Sequence, residues 1–245
     1  MNGDEPYGAT PLDPDEREGL RFRHVTTRGQ LDELEQANVE SGLIWLYAQR
    51  RADVLTESFT RELHRRLFGD VWRWAGTFRL REKNIGADPR QIPTRLRDLL
   101  DDACFWADQG TFTPLEAAAR FHHRMVQIHP FPNGNGRHAR IMADVFLEKR
   151  LEHSRIDWAA GHDLQSMNDR RADYIAALRA ADKGDYGPLL AFVGAEQAGR
   201  LRCCRLIDPR SPVARLLHSL MQTDASHSVP GAPERESGPW TPRAH

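Results

Sequence analysis

Apolar positions recur along most of this chain with the period of a helix, and short polar breaks separate the stripes. Leu31, Leu34, Asn38, Trp45 and Ala48 fall on one helix face, and Phe59, Leu63 and Leu67 fall on another that Gly69 closes. Thr94 is placed to cap a helix carrying Leu96, Leu99, Leu100, Ala103 and Trp106 on one stripe. Thr113 to Glu116 reads as a capping box with proline at the first helical position. The helix it opens should run to about Ile128, with Leu115, Ala118, His122 and Met125 along one side. Further helices are predicted from about Gly136 to Arg150 and from Leu164 to about Ala181, and Pro188 opens a last one. Only "GTFRLREKNIGADPRQIP", Gly76 to Pro93, reads as extended, with a turn at its GADP. The pattern predicts an all-α body with a short β-hairpin laid on it, and no internal repeat.

The ends differ from this middle. Residues 1–22 are acidic and rich in Pro and Gly, and read as a flexible lead. Residues 208–245 are rich in Pro, Ser, Gly and charge, and read as a disordered tail with a short helix around Val213 to Met221. Residues 23–207 then form the folded domain. The opening has neither a basic n-region nor an apolar h-region, so no signal peptide is expected. No apolar run approaches the roughly 20 residues of a membrane helix. With a formal net charge of −1 the chain gives no global reason to expect nucleic acid or an anionic membrane as partner. Cys104, Cys203 and Cys204 form no disulfide framework and suit a reducing, cytoplasmic setting.

Between two predicted helices lies "HPFPNGNGRHAR", His129 to Arg140. Gly134 and Gly136 permit positive φ and close backbone approach. Their N–H groups, with that of Asn135, are suited to an anion nest at the start of the next helix, where the dipole favours phosphate. Arg137 and Arg140, three apart, would share a face over that helix end, and a guanidinium fork matches phosphate oxygens. His129 at the other lip suits a general base near neutral pH, and Phe131 suits an apolar anchor for the loop. Together these make a minimal phosphoryl- or nucleotidyl-transfer site, where positioning and charge stabilisation do most of the work.

A lone Asn-Gly pair is usually a plain turn. Two such pairs followed by arginines at i and i+3, with a histidine seven residues before Gly136, make a much rarer combination. His122 lies on an apolar stripe and reads as a hydrogen-bonded core residue. Zinc held by His122, His129 and His138 is disfavoured, because the helix carries no HExxH and no nearby acidic ligand.

The stretch resembles the signature of the Fic (Fido) family, HxFx(D/E)GN(G/K)RxxR, and matches every fixed position but one. "KNIGADPRQIP" upstream resembles the family's flap hairpin, and the likeness spans about Leu31 to Val193. More narrowly, the Asn variant resembles the bacterial group called mobile mystery protein B. The resemblance implies a Fic-type helical core with a short β-hairpin flap. It implies transfer of AMP, or another NMP, from ATP to a hydroxyl of a target protein's Ser, Thr or Tyr, assisted by Mg²⁺. His129 would be the base, and Gly134, Asn135 and Gly136 would hold the α- and β-phosphates. Arg137 and Arg140 would hold the terminal end. Lys83, Asn84, Ile85, Gly86, Gln91 and Ile92 would form the flap edge that docks the target as an added strand. Gly136 argues against the kinase-like branch, which has Lys there.

The departure is Asn133, where the family has the Asp or Glu that binds Mg²⁺. An amide oxygen is a neutral, weaker ligand. Either the nucleotide holds the metal, or activity is weak, or the chemistry differs. A non-catalytic Fic-fold module that binds nucleotide or a partner is the alternative. The inhibitory pattern (S/T)xxxE(G/N) is not found: the one Glu before a Gly or Asn is Glu18, with Pro14 four residues ahead. Restraint would come from a separate inhibitory partner or another device, and Asp144, at i+4 from Arg140, is placed to hold that guanidinium.

Overall fold

The capping box that opens the first long helix is Thr27 with Gln30: the threonine hydroxyl accepts from Gln30 N, and the glutamine side chain accepts from Thr27 N. The computed structural model describes residues 14–22, 24–160 and 169–194. Its helices are α1 (Pro14–Arg17), α2 (Arg28–Ala48), α3 (Glu57–Phe68), α4 (Ile92–Gln109), α5 (Pro114–Ile128), α6 (Asn135–Arg150), α7 (Asp169–Ala181) and α8 (Gly187–Phe192). The chain divides into a unit of Met1–Leu206 and one of Ile207–His245. The second unit, with the helix predicted near Val213, lies outside the described residues, as do Cys203, Cys204 and the predicted helix start at Leu164.

The helices pack in sequence-adjacent pairs: α2 on α3, α4 on α5, α5 on α6 and α7 on α8, with α3 also touching α6. Leu63, Leu67, Leu96, Leu99, Phe121, Phe146 and Leu189 are fully buried where these faces meet. Each such side chain contributes roughly 1.5–3 kcal/mol by leaving water. Among the described residues no helix is long and apolar enough to cross a membrane.

Thr113 caps α5, accepting from Glu116 N at 3.3 Å, but the Glu116 carboxylate turns to Arg120 and leaves the box half made. α4 starts at Ile92, two residues ahead of the predicted cap Thr94. Asp88 explains this: its side chain caps a 3₁₀ turn over Pro89–Gln91 that runs straight into the helix.

The predicted hairpin is absent. Among the described residues no strand forms over Gly76 to Pro93; the isolated bridge is Leu20 with Trp72. The main chain of the segment pairs elsewhere. Arg79 N donates to Pro130 O at 2.9 Å and Ala87 N to Ile128 O at 3.2 Å, so the flap is a loop stitched to the end of α5. The stretch 14–22 also packs down. Arg21 N donates to Val71 O, Arg73 N to Gly19 O, and the Trp74 indole to Glu16 O.

Candidate active site

The loop from His129 to Gly134 joins the end of α5 to the start of α6 and is held from three sides. His129 caps α5 in the left-handed conformation at φ 51°, unusual for a residue with a Cβ. Phe131 is fully buried and stacks on His64 with centroids 3.7 Å apart. His64 Nδ1 accepts from Gly76 N, so its Nε2 carries the proton and donates to Asn133 O at 3.0 Å. Asn135 braces the loop from inside: its amide oxygen accepts from Phe131 N at 2.9 Å and its nitrogen donates to Phe131 O at 2.7 Å. The side chain of Asn135 is thus spent on the loop, leaving its main-chain N–H for any anion.

Gly134 is the N-cap of α6 at φ 75°, and a Cβ there would meet the Phe68 ring at 2.7 Å. Glycine is required on both counts. The first intrahelical bond runs from His138 N to Gly134 O at 2.9 Å. The N–H groups of Asn135, Gly136 and Arg137 therefore lie in the helix's first turn, without intrahelical acceptors. At Gly136 a Cβ would meet only the tip of Arg140, Nη1 at 3.7 Å. Those N–H groups are the ones in which the sequence pattern suggested an anion nest.

The two arginines go to different neighbours. Arg137 pairs with Glu35 of α2 and lies 4.8 Å over the Phe68 ring. Arg140 lies 5.7 Å over the ring of Tyr174 of α7. Asp144 does not hold Arg140. Its Oδ1 accepts from Ile156 N and from the Trp158 indole, both at 3.1 Å, because those buried donors need an acceptor. Burial raises the Asp144 carboxyl to about 7, against the pull of those two bonds.

His129 is buried, and burial, then the neighbouring Arg79 charge, lowers its pKa to about 4. It is the neutral imidazole at physiological pH, the form that accepts a proton. His122 and His138 are lowered to about 3 and about 4, and His64 well below its ordinary value, burial being the main cause in each. His122 bonds the Tyr174 hydroxyl at 2.8 Å and His138 the Thr60 carbonyl at 3.0 Å. These rings face separate partners within the core.

On the flap, Asn84, Ile85 and Gly86 are exposed. Gly86 has φ 116°, and a Cβ on it would strike Arg79 Nη2 at 2.6 Å and the His129 Cβ at 2.7 Å. Lys83 pairs with Glu16, and Gln91 accepts from Arg95 Nε at 2.9 Å. Ile92 is fully buried at the start of α4, where its side chain belongs to the core and not to an edge for docking.

Asn133 Oδ1 caps the N–H of Gly134 and is neutral. Among the described residues no cluster of His, Cys, Asp and Glu could hold a metal ion. This donor set does not fit a resident Mg²⁺ site, so any such ion would arrive as the companion of a nucleotide. Glu35, His64, Trp72, Arg79 and Tyr174 are site neighbours that the sequence pattern passed over. A polar residue on a buried stripe, as His64 is on α3, was the available signal.

Residues 54–147 match the model of the Fic/DOC family. Among curated relatives, Protein adenylyltransferase fic-1 of Caenorhabditis elegans is 30% identical over 140 residues, 54% of this chain and 25% of that protein. Protein adenylyltransferase Fic of Aedes aegypti is 29% identical over 146 residues, 58% of this chain and 27% of that protein. The chain spans about a quarter of the length of these relatives. Among solved structures, a fragment of C. elegans Fic-1 superposes with a TM-score of 0.56 at 21% identity, covering 84% of this chain and 56% of that one. A Fic-domain signaling protein from Bacteroides thetaiotaomicron gives 0.55 at 22%, covering 89% and 94%. BepC from Bartonella tribocorum, solved with AMPPNP bound, gives 0.56 at 19%, covering 75% and 97%. At these identities the structures show that the helical fold is the Fic fold.

Proposed function

On the premise that residues 54–147 are a Fic/DOC-family domain, we propose that this chain is a protein nucleotidyltransferase that moves AMP from ATP to a hydroxyl of a target protein. The relatives named protein adenylyltransferase support the reaction class, and the AMPPNP bound to BepC supports a nucleotide as substrate. One observation carries the reading: a buried, neutral histidine and an open helix N-terminus are joined by a loop of five residues, Pro130 to Gly134.

In this mechanism His129 takes the proton of the target's Ser, Thr or Tyr hydroxyl as its oxygen attacks the α-phosphorus. The bond from that phosphorus to the bridging oxygen of the β-phosphate breaks, and pyrophosphate leaves. The N–H groups of Asn135 and Gly136 bind the α- and β-phosphates at the positive end of α6. Arg137 and Arg140 neutralise the terminal phosphates. Asn84, Ile85 and Gly86 meet the target's main chain.

A second reading, a binding module without turnover, is favoured by Asn133, whose oxygen is committed to Gly134 N–H. Intact-mass measurement after incubation with Mg²⁺ and each of the four NTPs, alone and with a cell extract, separates them. The transferase adds the mass of one nucleoside monophosphate to itself or to an extract protein, and His129→Ala does not. Nucleotide binding by calorimetry with no adduct anywhere means the module.

A further inference from the structure

Arg79 is 2% exposed, and the partners of its guanidinium are unusual for so buried a cation. Nε donates to His129 O at 2.7 Å and Nη1 to Arg81 O at 2.7 Å. Nη2 reaches Ala87 O and Ile128 O. Its main-chain N–H donates to Pro130 O at 2.9 Å. The carbonyls of Ile128, His129 and Pro130, three in succession, are all bonded by this one residue. Ala87 N adds a second donor to Ile128 O. The turn so gripped is the one that holds His129 at φ 51°, a conformation unfavourable for a residue with a Cβ. Left-handed residues of this kind persist where surrounding structure over-determines them.

We propose that Arg79 is the positioning residue of the proposed base, fixing the turn that carries His129 and holding a positive charge beside its ring. The proposal rests on His129 being the general base. Arg79 stays cationic: burial lowers its pKa, and Asp88, Glu16 and Glu82 oppose that. The charges facing His129 are Arg79 and Lys83 from the flap, with Glu16 from the amino-terminal segment paired to Lys83. From α5 the Val126 main chain offers a bond that works the other way. Because Arg79 is bonded by carbonyl dipoles, its field at the imidazole is only partly offset. Burial first, and then this charge, hold the ring in the neutral, proton-accepting form well below neutral pH. The glycine at 86 fits the same picture, since a side chain there would strike both Arg79 and His129.

The test uses the full chain with Arg79→Gln and Arg79→Lys. Three quantities are measured: ATP affinity by calorimetry, label transfer against pH, and the titration of the His129 ring by NMR, its signal assigned by its loss in His129→Ala. In Arg79→Gln, ATP affinity is unchanged and transfer falls about 100-fold, the scale of a misplaced reacting group. The His129 midpoint moves up from about 4 toward the ordinary 6.5. In Arg79→Lys the midpoint stays low because the charge remains, while transfer is slowed because three donors on one nitrogen cannot span the carbonyls of Arg81, Ala87, Ile128 and His129 that the planar guanidinium reaches. A folded Arg79→Gln with wild-type rate and an unmoved midpoint overturns the proposal. If Arg79→Gln fails to fold, Arg79→Lys decides alone, and wild-type transfer in it overturns the proposal. A His129→Ala chain that still transfers label at full rate instead refutes the base, and the ring titration still reads the Arg79 contact independently.

Discussion

Glu35 on α2 and Arg137 on α6 form an ion pair at the mouth of the site, and the Trp72 indole donates to the second carboxylate oxygen at 2.8 Å. The pair is mostly buried, with the Arg137 side chain 18% and the Glu35 side chain 11% exposed. Glu35 precedes the family-matched segment by 19 residues (35 against 54). It nevertheless pairs with a motif arginine. Removing that negative charge favours an anion at Arg137. Glu35→Gln is expected to tighten ATP binding and to change AMP binding little. Glu35→Ala is expected to cost about 3 kcal/mol of stability, the low end for breaking a buried pair, because Arg137 and Trp72 both lose an acceptor. Calorimetry with both nucleotides and denaturant unfolding check the two outcomes.

Arg137→Ala and Arg140→Ala should each weaken ATP far more than AMP. Charge-assisted bonds to terminal phosphates are worth roughly 1.5–3 kcal/mol each, and AMP has no terminal phosphates to lose. Equal losses for both nucleotides would mean that the arginines only brace α2 and α7 through Glu35 and Tyr174.

Asn133→Asp should raise the apparent affinity for Mg²⁺ in the presence of ATP and speed transfer. The new carboxylate supplies the anionic oxygen that the amide lacks. A Mg²⁺ titration of the rate reads it. An unchanged midpoint with slower transfer would show that capping Gly134 N–H is the native task of Asn133.

Stability should fall steeply in acid. His64, His122, His129 and His138 are held neutral in the fold but protonate near 6.5 when unfolded, so the unfolded chain binds more protons below that pH. Their stabilisation is complete above about 6.5 and is lost as pH falls toward about 4. Asp144 works the other way, since its carboxyl near 7 in the fold drops to 3.8 unfolded and stabilises the fold as pH falls through that window. Four protons outweigh one, giving at most roughly 4 kcal/mol per pH unit. Urea unfolding at pH 7.5, 6.5 and 5.5 tests this, and in Asp144→Asn the acid slope should steepen. Equal stability at the three pH values would contradict the buried, neutral histidines.

The parts of the fold that follow a helical period were legible in the sequence. Leu96, Leu99, Leu100 and Ala103 made one stripe, and Thr113 marked the start of α5. What could not be read was the use of main-chain groups across long separations. The segment after Gly76 has the composition of a hairpin, but the carbonyls at the end of α5 compete for its N–H groups and win. Thr94 looked like a cap, yet Asp88 and Pro89 start the turn sooner. Spacing put Arg137 and Arg140 on one face, whereas a glutamate 102 residues away in sequence draws the first aside and a tyrosine of α7 takes the second. The sequence pattern assigned a role to the main-chain N–H of Asn135 but none to its side chain, which braces the loop through Phe131. Arg79 had no local pattern at all, because its meaning lies in three carbonyls about fifty residues on.

The most direct test of His129 as the base for nucleotidyl transfer is incorporation of label into protein from ATP carrying ³²P at the α- or the γ-phosphate. Wild-type chain is compared with His129→Ala at equal ATP occupancy, in the presence of Mg²⁺ and a cell extract whose own kinases have been heat-inactivated. Incorporation from the α-label and none from the γ-label is expected, with a loss of roughly 10²–10⁴-fold in the variant, the range of a general base. Incorporation from the γ-label, or equal incorporation of the α-label by wild type and variant, would contradict it.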